Sequence, residues 1–353
     1  MKTKLIAFYL PQYYPTPEND EWWEPGFTEW TNVTKAKPLF KGHQQPRIPR
    51  DLSFYDLRVP ETRERQALLA REAGIEGFCY WHYWFAGRRL LDRVFTEVVN
   101  SGKPDFPFCL CWANHSWYQK TWDPTRPDKL LIEQTYPGEE DYIAHFNAML
   151  PAFKDERYMR VDGKLIFGIF NSDSIPNFAL MKEIWNRLAI ENNLGGFYFF
   201  GLVQGEHRLN KAKECQYDTI VYEHMHTVFN KIKVSWKDKL IRHFFHKPVT
   251  LQYSNYVDDT VRFLEANTEL TPCLIPNFDH SPRSAHRGII MEGNTPKLWE
   301  EFCINILKIL ENKRDSENLL FIKSWNEWGE GNYLEPDEIF GKAYIEATAK
   351  VFK

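Results

Sequence analysis

Two glutamates three residues apart, Glu327 and Glu330, stand where an apolar run ends: Leu319-Leu-Phe-Ile-Lys-Ser-Trp-Asn-Glu-Trp-Gly-Glu-Gly331. A structural glutamate at a strand end wants a salt-bridge partner, yet the nearest neighbours here are Trp325, Asn326, Trp328, Gly329 and Gly331. Apolar rings beside a carboxyl disfavour its charged form and raise its pKa, which is the usual way a glutamate becomes a general acid. With Gly329 and Gly331 permitting a tight bend, both carboxyls can face one cleft, one protonated and one ionised. Paired carboxylates in those states are the core of glycoside hydrolysis.

Such a pair needs walls that bind sugar. Aromatics make up 16% of the 353 residues, with 13 Trp, and many sit beside Asn, His, Glu and Gly instead of inside apolar runs. Flat rings can stack on the apolar faces of sugars while amides and carboxylates take the hydroxyls. The default role of aromatics is core filling, so position has to decide between the two.

The elements that would place them are legible as an alternation. Apolar runs at 4–9, 75–84, 107–114, 164–170, 196–203, 218–222, 271–276 and 319–324 read as strands. Helical patterns at 60–73, 90–99, 141–153, 178–191, 257–266 and 295–312 fall between them. Strands alternating with helices imply parallel βαβ units. Eight units without a Gly-rich phosphate turn favour a single α/β domain over 1–353, a closed (β/α)8 TIM barrel with long loops at about 14–60 and 225–255. The runner-up is an open α/β sheet with a second small domain.

In a barrel the site forms where the strands end. Those positions carry Tyr9, Gln12 and Tyr13; Trp81, His82, Tyr83 and Trp84; Trp112, Asn114, His115 and Trp117; Glu223 and His224; Asn277 and Asp279; and Trp325 and Asn326 beside the two glutamates. Polar and aromatic residues thus gather at one end of strand after strand, as expected of a substrate-binding rim. Each has a plainer reading. Alternation sends Trp81 and Tyr83 one way and His82 and Trp84 the other, so one pair belongs to the helix–sheet interface. His82 alone suits a structural histidine, Glu223 and His224 an internal pair, and Trp22, Trp23 and Trp30 pins for the long first loop.

A net charge of −4 implies no broad basic face and argues against nucleic acid as a partner. The basic stretch at 231–247 reads as a solvated face. The six cysteines show no metal-ligand spacing, and no metal or other cofactor is expected. No apolar run approaches the ~18 residues of a membrane span. The opening residues lack a long apolar region and a cleavage site, so a cytoplasmic protein, a monomer, is the expectation.

Several of these motifs carry a resemblance. Phe8-Tyr-Leu-Pro-Gln-Tyr13, Gly26-Phe-Thr-Glu-Trp-Thr-Asn32, Gly77-Phe-Cys-Tyr-Trp-His-Tyr-Trp84, Trp112-Ala-Asn114 and Trp325-Asn-Glu-Trp-Gly-Glu-Gly331 resemble the WbsX family of polysaccharide-locus proteins. That family is similar to glycoside hydrolase family 99, the endo-α-mannosidases and endo-α-mannanases. The resemblance implies a (β/α)8 barrel and retaining, metal-free cleavage within a glycan chain. It also implies that Glu327 deprotonates the sugar 2-hydroxyl, which attacks the anomeric carbon to give a 1,2-anhydro sugar, with Glu330 as acid/base at the leaving oxygen. The substrate would be an α-linked, manno-configured residue, mannose or rhamnose, in a bacterial surface polysaccharide or lipid-linked glycan. Gly329 departs from the histidine common between the glutamates in family 99. A glycosyltransferase or transglycosidase of O-antigen or capsule synthesis is the alternative reading, and a non-catalytic sugar-binding barrel a third.

Overall fold

The computed structural model describes residues 3–120, 127–232, 247–311 and 318–353. Eight apolar segments form the barrel strands: β1 (Thr3–Tyr9), β2 (Gly77–Phe85), β3 (Phe108–Trp112), β4 (Lys164–Ile169), β5 (Phe197–Gln204), β6 (Thr219–Glu223), β7 (Thr271–Leu274) and β8 (Asn318–Ile322). Each pairs in parallel with the next. β8 then returns to β1, with Thr3 opposite Asn318, and the sheet closes. These strands are buried on both faces, which is why they read as continuous apolar runs instead of alternating ones.

The barrel helices are α1 (Pro60–Ala73), α2 (Arg93–Ser101), α3 (Glu139–Phe153), α4 (Phe178–Glu191), α5 (Leu209–Glu214), α6 (Tyr253–Ala266), α7 (Pro296–Glu311) and α8 (Ala343–Phe352). α1 shows how sequence sets its limits. Pro60 occupies the first turn, where its missing N–H costs nothing. Gly74 ends the helix at φ 85, its N–H reaching the carbonyls of Ala70 and Arg71. α5, with six residues, is too short to show a helical period and had no counterpart in the sequence reading. α6 begins four residues before the expected 257. The basic stretch lies mostly outside the described residues, as does Asn312.

Inside the barrel Phe8 stacks on Trp81 at 4.6 Å and packs against Phe321 at 5.5 Å. Fully burying such rings contributes roughly 1.5–3 kcal/mol each. The loop expected at about 14–60 is shaped by two short helices, Pro17–Trp22 and Glu29–Lys35. Thr28 and Thr31 cap the second reciprocally. The loop then lies over the β8 end, where the Arg50 N–H meets the Pro336 carbonyl at 2.9 Å. No described helix is long and apolar enough to cross a membrane.

Candidate active site

Past β8 the chain makes a tight reversal. Asn326–Glu327 pairs antiparallel with Asn332–Tyr333, and Trp328–Glu330 forms one 3-10 turn between them. Gly331 closes it at φ 54, a conformation that favours glycine. Gly329 does not share that conformation. Only one of the two glycines is therefore required by the bend, which corrects the expectation for both.

Glu327 and Glu330 emerge from this reversal onto the floor of a cleft of ≈ 500 Å³. Trp23, Trp81, Tyr83, Trp117 and Phe170 supply its rings, and Gln12, Asn19, His115 and Lys120 its polar edge. Two cations meet the carboxylates. Arg283 Nη1 lies 2.6 Å from Glu330 Oε1 and 3.7 Å from Glu327 Oε1, and Lys323 Nζ lies 3.5 Å from Glu330 Oε2. Arg283 also grips Glu29 Oε2, through Nε at 3.1 Å and Nη2 at 3.0 Å. Glu327 Oε2 accepts from the Ser324 hydroxyl at 2.9 Å.

The two carboxyls are therefore held differently. Burial, then the neighbouring Glu330 charge, raises the Glu327 pKa. Burial works on Glu330 as well, but Lys323, Arg283 and His280 outweigh it and hold that carboxyl well below the usual range. Lys323 is buried and Arg283 partly so, yet the carboxylates around them hold the pKa of each above its ordinary value.

Of the expected binding residues, the structure brings Gln12, Trp81, Tyr83 and Trp117 to the cleft wall. Strand alternation puts the other side chains of β2 outside. His82 Nε2 meets His145 Nε2 at 2.8 Å, and the Trp84 ring stacks on His145 while its Nε1 donates to Asp141 at 3.1 Å. Trp112 donates to the Trp84 carbonyl, and Tyr9 donates to Gln66 Oε1 behind the barrel wall. Asn114 ties its loop to Asn171, and His224 meets Asp259 at 3.0 Å. Glu223 is fully buried, accepting from the Gln204 side chain and the Met225 N–H.

A further group holds the Trp328–Glu330 turn from behind. Tyr13 donates to the Asn326 carbonyl and accepts from the Trp328 N–H. The Asn326 amide pairs with both backbone groups of Leu10. The Asn277 amide does the same for Tyr333, and the Asp279 N–H meets the Glu330 carbonyl at 2.7 Å. Trp325 is fully buried against Phe78. These residues position the site and line none of its cleft, so a substrate-contact role for them is corrected to a scaffolding one. Among the tryptophans of the first loop, Trp30 does pin it, with Nε1 on the Tyr55 carbonyl, whereas Trp23 joins the cleft.

Glu29, Arg283, Lys323 and Phe170 were not singled out. A lysine inside the run Leu-Leu-Phe-Ile-Lys-Ser was the available signal for Lys323. Glu29 lies within a quoted motif, and Arg283 offered none. Among the described residues no cluster of three His, Cys, Asp or Glu side chains is placed to hold a metal ion.

The chain matches, over residues 5–348, the family model described as Glycosyltransferase WbsX. It belongs to the WbsX family. A curated relative, the uncharacterized protein WxcX of Xanthomonas campestris pv. campestris, is 35% identical over 347 residues. That alignment covers 98% of this chain and 49% of the relative, so the chain spans about half the length of the curated relatives it matches. Among solved structures, a glycoside hydrolase-like protein superimposes with a TM-score of 0.63 at 14% identity, over 100% of this chain and 94% of that one. The GH99 endo-alpha-mannosidase from Bacteroides thetaiotaomicron gives 0.57 at 14% identity, over 98% of this chain and 95% of that one. This WbsX chain thus shares its (β/α)8 fold with GH99 proteins.

Proposed function

We propose that this WbsX chain is an endo-acting glycoside hydrolase that cleaves α-linked manno-configured residues, mannose or rhamnose, with retention. The observation that carries the reading is the pair Glu327 and Glu330 on the floor of a cleft walled by Trp23, Trp81, Tyr83 and Trp117. Two carboxylates in unlike environments, with rings to stack on sugar faces, are what glycosidic cleavage asks for. The GH99 likeness of the fold supports the same class.

In the roles the family resemblance implies, Glu327 takes the proton from O2. The O2–C1 bond forms as C1 parts from the leaving oxygen, which receives a proton from Glu330. Water then opens the 1,2-anhydro sugar as the proton transfers reverse. Internal attack needs O2 trans to the leaving group, which selects α-mannosides and α-rhamnosides.

The electrostatics of the site favour a second assignment of the same pair. Glu330 is the carboxylate bound to Arg283 and Lys323, and Glu327 is the one that protonates more readily. On that basis Glu327 is the proton donor and Glu330 the ionised partner. An α-mannoside with an activated aryl leaving group separates the two, because such a substrate needs little acid assistance. If Glu330 is the acid, Glu330→Gln keeps most of its turnover on that substrate and Glu327→Gln does not; the reverse outcome assigns the acid to Glu327.

Purified O-antigen, capsule, α-mannan and rhamnan, followed for oligosaccharide release, test the activity itself. Consumption of a sugar nucleotide with no cleavage would instead support transfer, the activity after which the family is named. A cytoplasmic, monomeric protein acting on lipid-linked glycan intermediates is the setting we propose for it.

A further inference from the structure

Gly329 lies between the two glutamates, and its backbone needs no glycine. Its surroundings do. A Cβ built there runs into Glu29 Oε2 and comes within 3.0 Å of Arg283 Nε. Glu29 arrives from the loop after β1 and Arg283 from the short helix Ser281–Ser284 after β7, so the two meet only in the folded barrel. Glu29 is 4% exposed and contacts two guanidinium nitrogens. Both nitrogens converge on the one oxygen Oε2, a forked contact that orients the planar group in a way a lysine's single nitrogen could not. The remaining nitrogen, Nη1, sits against Glu330 at 2.6 Å and stands off Glu327 at 3.7 Å.

We propose that Arg283, anchored by Glu29 in the space a side chain at 329 would fill, is the positioning residue that makes the two carboxylates unlike, by binding Glu330 directly and only approaching Glu327. This rests on the reading of the cleft as a glycoside-cleaving site. The groups facing Glu330 are Arg283, Lys323, His280 and Glu327, with His226 and Glu223 farther back along Lys323. Of the two fixed cations Lys323 is on β8's own extension and comes with the turn, whereas Arg283 has to be delivered. The missing side chain at 329 is the means of delivery. The atom displaced by a new Cβ is the far end of a flexible side chain, so Gly329→Ala folds and disturbs Glu29 instead of the backbone.

Titration of 13C-glutamate-labelled protein tests this without any substrate, Glu327→Gln and Glu330→Gln serving to assign the two signals. Arg283→Met should raise the Glu330 midpoint by about one pH unit, a tenfold gain in proton affinity. Arg283→Lys, the milder change, should move it the same way by less. Gly329→Ala should shift the midpoint in the wild-type chain and shift it less in the Glu29→Ala chain, where only the 3.0 Å approach to Arg283 Nε remains. An unmoved Glu330 midpoint in Arg283→Met, or equal Gly329→Ala shifts in both backgrounds, overturns the assignment. Absence of glycan cleavage with these titrations as expected would overturn the hydrolase reading and leave the Arg283 role standing.

Discussion

Glu330 and Glu335 lie five residues apart in the loop after β8, the first partly and the second fully buried, and are stabilised by opposite means. Glu330 meets two cations, Arg283 and Lys323, and is held ionised against the cost of burial. Glu335 meets only neutral donors: the Trp328 indole at 2.6 Å, the Gln66 amide at 2.6 Å and the Tyr55 hydroxyl at 2.8 Å. Burial pushes its pKa up to about 7, and these three hydrogen bonds oppose that only in part. A cation fixes the charge of a buried carboxyl, whereas a set of dipoles leaves it poised. The cleft side of the loop has been given the first arrangement and the back of the loop the second, which suits reaction on one side and support on the other.

The largest effect should come from the cleft. Glu327→Gln and Glu330→Gln are each expected to lower glycan turnover by roughly 10²–10⁴-fold, the usual range for a lost acid or base. Ordinary turnover by both variants would end the comparison, because Glu330 would then be a structural carboxylate like Glu335.

Next comes the back of the loop. Glu335→Ala leaves three donors facing a void, at about 1–3 kcal/mol for each group left without a partner. A loss of roughly 3–5 kcal/mol in urea unfolding is expected, with Glu335→Gln milder. A loss below about 1 kcal/mol would show that the network does not support the turn.

The sign of the pH dependence separates the two glutamates further. Glu335 has a folded pKa above its ordinary value, so its contribution to stability is complete below pH 4.5 and is lost as pH rises through about 7. That loss is on the order of 3 kcal/mol. Glu330, depressed in the folded state, acts the other way, stabilising above its ordinary value and losing that contribution as pH falls through its lowered folded pKa. Unfolding of Glu335→Gln measured from pH 5 to 8 should be flatter than wild type; an unchanged slope would remove Glu335 as the titrating group.

The smallest effect belongs to the two faces of β2. Trp81→Ala should raise KM by about tenfold, equivalent to 1.4 kcal/mol of binding. His82→Gln should cost about 1 kcal/mol of stability by breaking its bond to His145, with KM unchanged. Equal KM effects would mean that alternation does not divide cleft from core on this strand.

Much of this was legible along the chain. The eight strands, six of the helices and the division of β2 into two faces follow from runs of apolar residues and a period of two, but not which face lies outside. The carboxylate pair announces itself through its aromatic neighbours. What could not be read was which strand-end residues reach the cleft. Tyr13, Asn277 and Asn326 look like sugar ligands by type, yet each spends its polar atoms on the backbone of another loop.

The sequence by itself determined the barrel and the pair of glutamates, because burial patterns and turn chemistry act between residues close in the chain. Only the tertiary structure decided the charges of that pair. Arg283 and Glu29 are 254 positions apart, and the ion pair that joins them over Gly329 exists only once the barrel has closed. Electrostatics in a buried site depends on distance in space, and no local pattern records it.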